Sequence, residues 1–325
     1  MKIIARVLRG GEIESVHHVE AVVVGKDGDV ILQTENPELM TFMRSAVKPF
    51  QAYPLVHSGA ADHFGVSEKE LAICCASHNS ENIHVKTVNG ILTRTGLSES
   101  NLQCGSHKPI DEETADSLLR QNVNLNQLHN NCSGKHTGML LACRHLEYPL
   151  DNYIDQDHPL QKDIIRYISA WINRNDIYTG IDGCSVPTFF LSLTELATLF
   201  QKLAEKKDSS LARIFNAMTS EPYMVAGQNR FDTVLMEYGT GTIVAKVGAE
   251  GLRGVGFKLN GENHGLALKV TDGAKRASAS VALEIMRRLQ VLNPLGDKKF
   301  MPYYRPVIRN HRGVEVGHIE AELVE

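Results

Sequence analysis

Strand-like alternation at both ends of the chain, with helical spacing between, constrains this sequence more than any other feature. Residues 2–9 and 19–33 alternate apolar and polar positions around Gly25-Lys26-Asp27-Gly28-Asp29, the pattern of half-buried strands joined by a tight turn. Residues 242–247, 252–259 and 265–271 resume the pattern between glycine-rich turns, a helix is expected from about Ala274 to Leu289, and 314–323 supplies a last strand. Strands must bury a face, so strands at both termini with helices between them imply a sheet built from both chain ends. The fold class is α/β (α+β), a single domain over residues 1–325 with a helical region of about 80–240 inserted between N- and C-terminal strands. No internal repeat or low-complexity linker interrupts it.

Inside the insertion the punctuation is local. Asn36-Pro37 ends the first sheet segment, and a helix is expected from Met40 to Leu55. Ser67-Glu68-Lys69-Glu70 has the form of a capping box, and the apolar run 71–76 after it suits strand or helix. Ser77 or Ser80 is the expected cap of a helix over 81–95, and Asp111-Glu112-Glu113 places acids where a helix start favours them. Further helices are expected at 139–146, at 158–173 with Leu160, Ile164, Ile165, Ile168 and Trp171 inward, and at 191–205, 209–219 and 227–237.

Composition narrows the function. A net charge of −4, a pI near 6.4 and no block of Lys or Arg give no footprint for nucleic acid or an anionic membrane, so the partner expected is a small molecule. The N-terminus lacks an apolar signal core and no apolar run is long enough to span a bilayer, which points to the cytoplasm. Six cysteines, two of them adjacent at 74 and 75 in an apolar run, fit buried thiols better than a disulfide framework.

The residues that carry chemistry begin at Arg44-Ser45-Ala46-Val47-Lys48-Pro49. Ser45 and Lys48 are one helical turn apart, and Pro49, which lacks an amide proton, is comfortable only in a first turn. Helix amides then point toward the Ser45 hydroxyl, and a neutral Lys48 amine is placed to take its proton. The bland alternative is a cap and a solvated charge. Ser77-His78-Asn79 and Lys246-Val247-Gly248 follow, giving S-x-x-K, S-x-N and K-x-G in order. The trio S-x-x-K, S-D-N, K-T-G marks serine β-lactamases and penicillin-binding proteins. Here His78 stands for the Asp and Val247 for the Thr.

The stretch 129–138, His-Asn-Asn-Cys-Ser-Gly-Lys-His-Thr-Gly, lacks the spacing of a phosphate loop. Cys132 and His136, four residues apart, suit zinc from one helical turn, or the cysteine is simply core. Asp182-Gly183-Cys184 sets an acid and a thiol in a Gly/Pro-shaped loop, where Asp182 serves a function or the turn itself.

Together with Ala-Ser-His-Asn-Ser-Glu at 76–81, Asn-Asn-Cys-Ser-Gly-Lys-His-Thr-Gly-Met at 130–139 and Lys-Val-Gly-Ala-Glu-Gly at 246–251, these segments make the chain resemble the Rhizobium etli-type L-asparaginases over about residues 10–290. Through that family's kinship with serine β-lactamases and glutaminases, the resemblance implies a β-lactamase-like fold, an antiparallel sheet flanked by helices, in a homodimer. It also implies hydrolysis of the side-chain amide of L-asparagine to L-aspartate and ammonia. Ser45 is then the nucleophile and Lys48 its base, with Ser77 and Lys246 as a second Ser-Lys pair that passes a proton to the leaving nitrogen. The zinc ligands fall on Cys132, Lys135 and Cys184, with Lys135 in place of His136. By analogy with the β-lactamase fold the backbone amides of Ser45 and Ala249 form the oxyanion hole, and Arg44, Asn79, Asp182 and His136 line the substrate site. Other readings stay open on sequence alone: a glutaminase or a lactam or peptide hydrolase, a thiol mechanism at Cys184 with His136, and a zinc-binding protein without catalysis on the same scaffold.

Overall fold

Strand β1 (Lys2–Arg9) buries Ile3, Ala5 and Val7 and turns its intervening residues outward, the two-residue period of a sheet covered mainly on one face. In β2 (Glu12–Val24) the alternation gives way to an unbroken buried run, Ala21 to Val24, the mark of a strand covered on both faces. β3 (Val30–Gln33) returns antiparallel along β2, and β4 (Met40–Phe42) leads toward Ser45. β5 (Tyr178–Ile181) and β6 (Pro187–Ser192) form an antiparallel hairpin in which Ile181 faces Pro187. From the far end of the chain come β7 (Ile243–Val247), β8 (Leu252–Leu259), β9 (Glu262–Val270), β10 (Val307–Arg309) and β11 (Glu315–Val324).

The computed structural model describes residues 1–324, and the chain in it forms two units. The first is made of Met1–Ala46, Leu191–Ala204 and the residues from Ala245 onward. It holds an eight-stranded sheet in the order β10-β11-β1-β2-β9-β8-β7, with β3 beside β2. β1 pairs antiparallel with both β2 and β11, and β2 runs antiparallel to β9 from Val19–Val270 to Val24–Gly265, so the sheet is indeed joined from both ends of the chain. The helix Lys275–Arg288 packs across β1, β8, β9 and β11 and buries Ala277, Val281, Ala282, Ile285 and Met286. The helix Leu193–Glu205 lies against β8 and β9 at two glycines: a Cβ on Gly254 would stand 2.0 Å from a Phe200 ring carbon, and one on Gly265 would stand 1.9 Å from the Ala197 carbonyl oxygen. Only a residue without a side chain permits that approach.

The second unit, Val47–Phe190 with Glu205–Val244, is helical apart from the β5–β6 hairpin. Its central helix, Ser133–His145, is buried from Ser133 to Cys143. The expected start at Met139 is six residues late, because Ser133 to Gly138 look polar in sequence yet are enclosed by neighbouring helices. The run 71–76 resolves as helix, Glu68–Cys74, and its capping box is complete: Ser67 Oγ accepts from the Glu70 amide at 3.3 Å and Glu70 Oε2 accepts from the Ser67 amide at 3.0 Å. Residues 191–192, expected to open the helix over 191–205, instead close strand β6, and the helix follows from Leu193. The expected helix over 227–237 begins at Phe231 and runs to Gly239, after a short turn of helix at Pro222–Val225.

Candidate active site

The segment that carries Ser45 and Lys48 is broken where one helix was expected. Arg44–Val47 is a 3-10 turn, followed by two short helical pieces, Lys48–Gln51 and Tyr53–His57, each with a proline in its first turn. Pro49 and Pro54 each remove an amide donor and crowd the preceding turn, so the helix restarts at each instead of running through. Arg44 itself has φ of +47°, a left-handed conformation that costs a non-glycine residue of the order of 1 kcal/mol or more. The strain falls on the residue directly before Ser45.

In the sheet unit, the end of β7 lies against this turn. A Cβ on Gly248 would meet the Met43 carbonyl oxygen at 3.1 Å, two residues before Ser45. Lys246 is buried on β7, and its Nζ donates to the Val247 carbonyl at 3.1 Å. Gly248 N–H bonds to Leu252 O at 2.8 Å and closes a hairpin whose tip, Glu250-Gly251, is left-handed at both residues. Lys269 braces the tip from β9, with Nζ donating to the carbonyls of Glu250 at 2.5 Å and Val270 at 2.8 Å, and burial lowers its pKa from the usual lysine value.

In the helical unit, Lys48 is wholly buried, and its Nζ donates to the Ala76 carbonyl at 2.6 Å and to Ser77 Oγ at 2.9 Å. The lysine of the first motif thus bonds the serine of the second. Neither Ser77 nor Ser80 caps the next helix, contrary to the sequence expectation: Glu81 takes the cap position of Asn82–Arg94, and Ser80 Oγ donates to the His129 carbonyl at 2.6 Å. Asn79 is buried and its amide is engaged on both sides. Its Nδ2 donates to Glu81 Oε1 at 3.1 Å and Gln228 O at 3.0 Å, while Oδ1 accepts from Arg230 Nη1 at 2.6 Å. Gly227, with φ of +117°, lets this backbone come so close that a Cβ there would stand 2.7 Å from Asn79 Nδ2. Arg230 also reaches the Ser77 carbonyl at 3.4 Å. Sequence reasoning missed Arg230 and Lys269, which follow no motif, and gave no role to Glu81; all three are recognised only by what they brace.

A second cluster of the helical unit joins the start of helix Ser133–His145 to the 182–186 loop. Lys135 Nζ donates to Cys184 Sγ at 2.9 Å, and both groups are buried. A hydrogen bond from Cys132, reinforced by the Lys135 charge, draws the Cys184 thiol far below its ordinary pKa although burial opposes the change. The same bond, with burial, raises the Cys132 thiol well above its ordinary value; its single proton has a second acceptor in Asn131 Oδ1 at 2.9 Å. Burial works against the Lys135 ammonium, and the two sulfurs more than offset it, so the amine holds its proton above the usual range. Burial lowers the His136 imidazole to about 4 against a hydrogen bond with Cys184 that works to raise it, and its Nδ1 meets Tyr153 Oη at 2.6 Å. Asp182 is partly exposed and accepts at Oδ1 from the Gly183 amide at 2.8 Å, a turn contact, while its charge also favours the Lys135 ammonium.

The donor set can be tested against a metal. Among the described residues no three His, Cys, Asp or Glu side chains converge on a common point, so Cys132 and Cys184 make a three-donor set only with the Lys135 amine. Two thiols suit zinc, and a divalent cation would displace the protons that the sulfurs and the amine now share. The residues fit the ion on those terms.

Comparison with known proteins assigns these segments to an enzyme that hydrolyses amides. The profile of the L-asparaginase II family matches residues 5–321, and the chain belongs to that family. Its activity is accordingly the hydrolysis of the side-chain amide of L-asparagine, with a small-molecule amide as substrate. No curated protein matches the chain. Among solved structures it is similar to a β-lactamase from Sphaerobacter thermophilus DSM 20745, at 12% identity and a TM-score of 0.45 over 86% of this chain and 94% of that one.

Proposed function

We propose that asparagine is hydrolysed through an acyl-enzyme. Ser45 attacks the side-chain carbonyl, Lys48 takes the serine proton, and Ser77 with Lys246 delivers a proton to the departing ammonia; water then releases aspartate by the reverse proton path. The amides of Ser45 and Ala249 stabilise the tetrahedral oxyanion, a contribution of about 3 kcal/mol per donor where such donors have been removed elsewhere. Arg44 meets the substrate carboxylate and Asp182 its ammonium, His136 orients a neighbour or water, and Asn79 shapes the pocket wall through its bonds to Glu81 and Arg230. The observation that carries this reading is the buried contact of Lys48 Nζ with Ser77 Oγ at 2.9 Å. A buried lysine whose amine is set on a carbonyl and a serine hydroxyl suits proton transfer better than an ion pair would.

The same contact favours a second reading, in which Ser77 is the nucleophile and Lys48 its base. Ammonia release from asparagine by Ser45→Ala and Ser77→Ala, with mass spectrometry of a trapped acyl adduct, separates the two. An adduct on Ser45 and at least a 10³-fold loss in Ser45→Ala support the first. An adduct on Ser77 replaces it with the second, and wild-type turnover in both variants removes the serine mechanism.

Cys132, Lys135 and Cys184 would hold zinc, which when bound ties the start of helix Ser133–His145 to the 182–186 loop as a structural cross-link. The enzyme is further proposed to be a cytoplasmic homodimer. Supporting the location, all six cysteines are free and buried, and no helix among the described residues is long and apolar enough to cross a membrane.

A further inference from the structure

His78 occupies the place of the acid in the S-D-N pattern, and its ring nitrogens do two separate jobs. Its Nδ1 accepts from the Ser80 amide at 3.1 Å, two residues on, the bond an Asx side chain makes when it closes a turn on its own backbone. An Nδ1 that accepts leaves the proton on Nε2, which lies 2.9 Å from Ser133 Oγ; that hydroxyl in turn donates to the Leu128 carbonyl at 3.0 Å. Ser80 is held left-handed at φ of +64°, and the His78 amide donates to Asn131 O at 3.3 Å. The helix that Ser133 opens comes close because Gly134 lacks a Cβ, which would otherwise stand 2.2 Å from the Ile73 carbonyl oxygen. The ring is fully buried, stacks on His84 at 5.2 Å between centroids, and its charged form is opposed by burial and by His84, Lys48, His107 and Arg230.

We propose that His78 is a positioning residue for the hydrolysis: its imidazole closes the Ser77–Ser80 turn through Nδ1 and fastens it to the helix beginning at Ser133 through Nε2. It acts through Ser77 and so rests on the catalytic role given to Ser77 above. An ionised carboxylate at this position would close the turn yet could not donate to Ser133 Oγ, whose own proton goes to the Leu128 carbonyl.

The test uses the full-length enzyme with asparagine. His78→Phe fills the space and removes both bonds; it should lower kcat by about 100-fold, the effect of misplacing a reacting group by about 1 Å, and leave KM within about threefold. His78→Asn restores an acceptor for the Ser80 amide and should recover kcat to within about tenfold of wild type. Nitrogen-detected NMR of the wild type should show the Nε2–H tautomer of His78 unchanged from about pH 5.5 to 8.5. A ring that protonates within that range, an effect on KM alone, or two variants that turn over like wild type would overturn the inference. Should His78→Phe fail to fold, the Asn variant and the NMR measurement decide. Wild-type turnover in Ser77→Ala strikes the underlying reading, whereas an inactive Ser77→Ala beside a fully active His78→Phe strikes this inference alone.

Discussion

The turn at Ser45 and the turn at Ser77 present the same side chain by opposite means. Ser45 is partly buried and follows a left-handed Arg44, and its neighbourhood is shaped by the strain and by glycine-rich backbone at Gly248. Ser77 is buried, and the four residues after it are held by side-chain bonds to Glu81, His129, Ser133, Gln228 and Arg230. The first arrangement shapes the chain through backbone geometry, and the second fixes a buried hydroxyl among side-chain bonds, that from Lys48 Nζ included. Under the mechanism proposed above, the nucleophile must be reached and the proton relay must stay put.

The comparison is most easily broken at Lys48. Lys48→Met keeps the bulk of the side chain and removes the donor to Ser77 and Ala76; kcat should fall by about 10³-fold, measured as ammonia release, and a loss below about tenfold would mean that the buried amine is structural. Next in size is a contrast between glycines. Gly134→Ala drives a methyl group to 2.2 Å from the Ile73 carbonyl oxygen and should cost about 3 kcal/mol in urea unfolding, whereas Gly248→Ala comes no nearer than 3.0 Å to Leu252 and 3.1 Å to the Met43 carbonyl oxygen and should cost about 1 kcal/mol. Equal costs would show that the two turns are braced alike.

Acid should also act on the second turn. The folded pKa of His78 is depressed well below 6.5, so the unfolded chain binds a proton that the folded chain refuses. The stability due to the neutral ring is complete above pH 6.5 and is lost as pH falls toward the folded value, by about 1.4 kcal/mol per pH unit. Urea midpoints at about pH 6.5 and 5.5 should shrink accordingly, and His78→Phe should flatten this part of the slope. The smallest effect is at Arg44. Arg44→Ala keeps the left-handed strain and Arg44→Gly relieves it, so the glycine variant should be the more stable by about 1 kcal/mol in thermal unfolding. If the two melt together, the strain before Ser45 is not real.

Much of the sheet could be read in advance because alternation survives wherever a strand has one wet face, as in β1 with Ile3, Ala5 and Val7 inward. Strand β6 escaped because Pro187 to Ser192 is buried almost throughout, and a short apolar run has no period with which to choose between strand and helix. The early start of the Ser133–His145 helix escaped for the converse reason, since Ser133, Lys135, His136 and Thr137 look solvated until their partners are known. Motifs singled out Ser45, Lys48, Ser77 and Lys246 as candidates; Arg230 and Lys269 act by holding backbone carbonyls or a neighbouring amide, which leaves no trace in local spacing. The caps at Ser77 and Ser80 were misjudged because both hydroxyls are claimed by residues distant in sequence, Lys48 and His129.

The register between β2 and β9 joins Val19 to Val270, so the most continuously apolar strand near the start of the chain waits through about 250 residues of synthesis for this neighbour. At ordinary ribosomal rates that is on the order of 10 to 50 seconds, during which Val19 to Val24 offers an unpaired edge to any similar strand nearby. Newly made chains are therefore expected to be most prone to aggregation before β9 emerges, and premature termination upstream of Glu262 should yield insoluble product even though the helical unit is by then complete.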